Sequence, residues 1–93
     1  MSFRFHGLPE GVVLSELSQA VYNVLEPHTS FPWPVMHAQA RRIGARAERL
    51  SLEELRELVP LLSVAVGRFT SEEAAYAVEQ GLQALVLDAE LDS

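Results

Sequence analysis

The chain has 93 residues, a formal charge of −6 at pH 7 and no cysteine. A disulfide framework, a thiolate zinc site and a thiol nucleophile are thereby excluded. The acidic balance, with a pI near 4.9, disfavours nucleic acid as a general partner, because binding phosphates requires cations to neutralise them.

The N-terminal stretch "MSFRFHGLPEG" lacks the apolar run of a signal peptide. The longest uncharged apolar stretch, "LVPLLSVAVG" at 58–67, is too short to span a bilayer and contains a proline. A cytoplasmic protein without membrane contact is expected. Phe3 and Phe5 alternate with Arg4 and His6, the pattern of a short strand near 2–6.

Residues 9–26 read as a first helix. Val13, Leu17, Val21 and Val24 share one side with Ala20 beside them, Pro9 suits the first turn, and Pro27 ends the run. The segment "FPWP" at 31–34 reads as a stiff extended connector, since each proline fixes its own φ and extends the residue before it. Phe31 and Trp33 are expected to fold back from it as a plug over the helix ends, the alternative being that they stand out as binding anchors. A second helix is predicted over 34–50, with Met36, Ala40, Ile43, Ala47 and Leu50 at heptad-like spacing.

Two capping boxes mark the following starts, Ser51 with Glu54 and Thr70 with Glu73. Between them Pro60 predicts a kink or break, and the alternation of Leu62, Val64 and Val66 with small residues also fits a strand over 62–69. The last helix, about 71–89, carries Ala74, Val78, Leu82, Leu85 and Ala89 on one face, and Gly81 near it allows close packing. The expected architecture is a single all-α domain over 1–93, a small four-helix fold with a Pro/Trp connector between helices 1 and 2. The alternative is an α+β fold using the strands near 2–6 and 62–69.

Candidate chemistry is sparse. No H-E-x-x-H or G-x-S-x-G sequence occurs, and His28 and His37 lack the further ligands a metal needs. No metal or cofactor is expected, and catalysis is not the favoured reading. His28, Trp33, His37 and Arg41 could line a small-ligand pocket. Arg42, Arg46 and Arg49, at i, i+4 and i+7 on the predicted second helix, form a basic face that could meet phosphates, although a solvated or salt-bridged face is the simpler account. Residues 34–50 carry a local charge of +3 and residues 51–93 a local −7.

The third segment is apolar nearly all round, and such a helix must be covered on several sides. Leu55, Leu58, Leu62 and Val66 are therefore expected to lie in a contact between two copies. A twofold dimer is the commonest way for a small protein to obtain that cover. The favoured function is a self-associating interaction or scaffold module. A small-ligand or regulatory binding protein is the alternative, and nucleic-acid binding through the arginine face the weaker one.

Overall fold

The computed structural model describes residues 8–92, and the strand expected near 2–6 lies outside them. The described chain is all α. Four helices, α1 (Glu16–Leu25), α2 (Pro32–Arg42), α3 (Leu52–Phe69) and α4 (Glu72–Asp92), are joined by 3-10 turns at Glu26–His28 and Ala47–Arg49 and by short connectors.

α1 starts later than residue 9. Gly11, at φ +85°, turns the chain, and Ser15 is the N-cap, its Oγ accepting from the Ser18 N–H at 3.3 Å. Val13, expected on the buried side of this helix, precedes it and is 81% exposed. The start of α1 is tied to the segment before α3. The Ser15 N–H donates to the Glu48 carbonyl at 2.9 Å, and the buried Ser18 Oγ accepts from the Leu50 N–H at 2.9 Å.

"FPWP" is not an extended connector. Pro32 and Pro34 occupy positions N1 and N3 of α2, where helical N–H groups have no intrahelical partner to lose. Trp33 lies between them in the same turn, half-buried and packed against the core. α2 also stops well before residue 50. Gly44 adopts φ +73°, the Ala45 N–H donates to the Ala40 carbonyl and the Gly44 N–H to the Arg41 carbonyl. This is a Schellman closure with glycine at the left-handed position. Ala47 and Leu50 are buried nonetheless, carried to the core by the connector and its 3-10 turn rather than by a continuous helix.

α3 opens on the expected capping box, with Ser51 Oγ accepting from the Glu54 N–H at 3.1 Å and Glu54 Oε1 from the Ser51 N–H at 2.9 Å. It runs through Pro60 without a break and excludes the strand expected at 62–69. Pro60 is exposed, so the carbonyl that loses its donor lies on a solvent-facing side. Ser63 Oγ donates to the Pro60 carbonyl at 3.1 Å.

Thr70 is not the cap of α4. It is the C-cap of α3, and its Oγ1 donates to the His28 carbonyl at 3.3 Å. Ser71 caps α4 instead, its Oγ accepting from the Ala74 N–H at 3.1 Å.

The core is built from all four helices. Val21, Leu25, Met36, Leu55, Leu58, Leu62, Val66, Val78 and Leu82 are each 0% exposed. Two glycines let α4 approach its neighbours. A Cβ on Gly67 would lie 3.0 Å from that of Ala75, and one on Gly81 would lie 2.8 Å from Val24 Cγ1.

Candidate functional site

The helix ends create a concavity. α2 begins where the turn after α1 leaves the core, and the C-terminal turn of α3 is held to that turn by the Thr70–His28 hydrogen bond. Between α2 and the end of α3 lies a groove of about 570 Å³. Its walls are Phe31, Pro34, Val35, Ala38, Ala65 and Phe69, and its polar lining is Thr29, Ser30, Gln39 and Thr70. No ionisable side chain lines it.

The two aromatic walls are exposed. Phe31 is 54% and Phe69 78% exposed, although each lies beside a buried residue of its own helix, Pro32 and Val66. Phe31 is set by a local device: Thr29 Oγ1 accepts from the Phe31 N–H at 3.1 Å just before α2 begins. Both rings stand at the same end of the groove, next to Thr29 and Thr70. The other end, at Ala38 and Gln39, is walled by small or polar side chains. One turn beyond it Arg42 donates to Gln39 Oε1 at 3.1 Å.

The residues singled out from sequence are distributed otherwise. Trp33, His37 and Arg41, spaced by four along α2, share a flank that does not line the groove. The Trp33 and His37 rings stack with centroids 5.4 Å apart and a 32° tilt, and His37 and Arg41 are exposed. His28 is half-buried in the 3-10 turn. It lines, with Glu26 and Pro27, a concavity that adjoins the groove and shares Thr29, Ser30, Phe69 and Thr70 with it, and from which Trp33, His37 and Arg41 are absent. The four do not converge on one pocket.

The arginine face is also dispersed, because α2 ends at Arg42. Arg46 falls in the connector, 3.9 Å from Glu48, and Arg49 in the 3-10 turn. Leu55, Leu58, Leu62 and Val66, expected between copies, are covered completely by their own chain. α4 packs most closely on α3, with α2 beside it, so a second copy is not needed for that purpose. Arg56, at the open edge of α3, pairs with Glu90 of α4.

Among the described residues no group of three His, Asp or Glu side chains is placed to hold a metal ion. None of their helices is long and apolar enough to cross a membrane. Phe69 is the residue that sequence reading overlooked. Its signal is a large apolar side chain at the last position of a helix, directly after Arg68 and before the Thr70-Ser71 stop, where the core face has already been filled. The chain matches no known protein family, no curated protein and no solved structure.

Proposed function

We propose that the protein is a non-catalytic interaction module and that the groove between Phe31 and Phe69 is its working surface. One observation carries the reading: two phenylalanines, contributed by separate helices, flank an apolar groove that contains no ionisable group. Exposed aromatic area is unfavourable in water and becomes favourable when a partner covers it. Aromatic residues set around a preformed recess are the usual anchors of protein contacts. A lining without acid, base or nucleophile beyond threonine and serine hydroxyls offers little to bond-making chemistry. We place the module in the cytoplasm, in keeping with its cysteine-free, acidic sequence, and its partner among proteins rather than nucleic acids or membranes.

The test separates a working surface from architecture. Phe69→Ser should leave the thermal unfolding midpoint close to that of the wild type while abolishing the fluorescence enhancement of anilinonaphthalene sulfonate at low micromolar protein. Val13→Ser, at another exposed apolar position, should preserve the enhancement. Equal enhancement with Phe69→Ser and wild type, or a collapsed midpoint in Phe69→Ser, would overturn the assignment of this surface.

A further inference from the structure

The geometry points to a second copy of this chain as the occupant of the groove, packed antiparallel about a twofold axis that passes near Val35 and Ala38. This rests on the interaction-module reading above and names its partner. Two asymmetries along the groove carry it, one of shape and one of charge.

The shape asymmetry is that of a knob beside a hole. Phe31 and Phe69 project at one end, whereas the other end is walled by Ala38, Ala65 and Gln39. Phe31, Pro34, Ala38 and Arg42 follow one line along α2 at spacings of three and four. From Phe31 to Arg42 that line runs about 16 Å at ~1.5 Å per residue. A twofold axis through its middle exchanges the two ends, and so seats the Phe69 ring of each copy over the small-residue end of the other. Such a contact is isologous and closes on itself, whereas a contact between unlike surfaces would propagate.

The charge asymmetry follows the same axis. At the small-residue end Arg42 is held by Gln39 at 3.1 Å, with Arg41 beside it on the outer flank. Among the described residues neither arginine has an ion-pair partner. At the aromatic end, Glu72 and Glu73 open α4 directly after Thr70 and Ser71, and Glu26 lies in the 3-10 turn. Arg68 and His28 are the basic groups at that end, and the three glutamates leave it net negative. The twofold axis therefore brings Arg42 of each copy towards Glu72 and Glu73 of the other. A parallel arrangement would set like charges together, which opposes association. Neither these charged groups nor the remaining acids of α4 line the groove itself, so the ion contacts lie outside the apolar contact.

Charge exchange tests this arrangement. By light scattering from low micromolar to millimolar concentration, the wild-type mass should rise from 10.3 kDa towards twice that value. Arg42→Glu alone, and Glu72→Arg with Glu73→Arg alone, should each weaken self-association by at least about tenfold. An equimolar mixture of the two should restore it, because both ion contacts of the mixed pair become attractive. Arg42→Gln, a milder change at an exposed position, should fall between wild type and Arg42→Glu and guards against a folding defect. A wild type that stays monomeric overturns the second copy as occupant, and if Phe69→Ser still abolishes dye binding, the groove itself stands. A wild-type dimer whose charge-exchanged mixture associates no better than either variant alone overturns the antiparallel register. Dye binding indifferent to Phe69→Ser sinks the underlying reading instead.

Discussion

Two serines separated by 20 positions, Ser51 and Ser71, each hold the first turn of a helix through one hydroxyl, and Thr70, one residue earlier than the second, does not. Threonine and serine in tandem both offer a cap, and Glu73 stands at the box spacing from Thr70. The choice fell to Ser71 because Thr70 is already committed to ending α3 and to binding the His28 carbonyl. That competition involves a residue 42 positions away and leaves no local trace. Ser51→Ala and Ser71→Ala should each lower stability by about 0.5–2 kcal/mol, and Thr70→Ala by less, as read from urea unfolding midpoints. Gly81 makes a different demand, since the added Cβ of Gly81→Ala would lie 2.8 Å from Val24 Cγ1. The methyl is expected to cost about 1–3 kcal/mol through overpacking. Combined with Val24→Ala it should cost less than the two single changes added together, a coupling that a double-mutant cycle measures directly.

For the helices, hydrophobic spacing located α1, α2 and α4, the Ser51 capping box marked the start of α3 although the alternation at 62–66 also fitted a strand, and the ends were decided by features that spacing does not contain. The pattern through Met36, Ala40, Ile43, Ala47 and Leu50 predicts one helix to residue 50, yet the chain leaves the helix at Gly44 and still buries the last two of these residues. The glycine within "RIGAR" was the available sign. Its left-handed conformation permits the Schellman closure, and a connector can reproduce a helical spacing by accident. Pro32 and Pro34 illustrate the reverse, breakers that became starters because both fall where the helix has no hydrogen bonds to break. Pro60 is the true exception, an interior proline tolerated on the exposed side of α3. Pro60→Ala restores one backbone donor and relieves the ring's clash with the preceding turn, at the cost of a more flexible unfolded chain. The net effect should be a gain of about 1–3 kcal/mol, visible as a raised thermal midpoint.

At the scale of the whole molecule, the apolar surplus of α3 was legible, but its cover was not. Spacing shows that a helix needs neighbours on several sides, and it is silent on whether those come from the same chain. Here the same chain suffices, chiefly through α2 and α4, so Leu55, Leu58, Leu62 and Val66 belong to the interior. Of the large apolar side chains that the helices leave exposed, Phe31 and Phe69, 38 positions apart in the sequence, are the two that line the groove. Their meeting depends on how α2 and α3 converge, which no single segment encodes. The charges around the groove also give its self-association a characteristic response. With exposed ion contacts at both ends, the dimer dissociation constant should rise as the Debye length shrinks from ~10 Å at 0.1 M salt to ~3 Å at 1 M. Sedimentation equilibrium across that range checks this, and a constant unaffected or lowered by salt would point to a purely apolar contact.

The short Thr70-Ser71 link between α3 and α4 bears on the order in which the molecule assembles. Two long helices, each with its own serine cap, pair across a minimal loop, so little closure entropy opposes their meeting. α1 must instead find partners far along the chain, Leu50 through Ser18 and Gly81 through Val24. The folding nucleus is therefore expected in the α3–α4 pair, with α1 docking on the downhill side of the barrier. In stopped-flow measurements Leu62→Ala should chiefly slow refolding, and Val21→Ala should chiefly accelerate unfolding. The same division makes α1 the element that detaches first from the native molecule, at its Ser15 and Ser18 tethers, before the long pair loses its contacts.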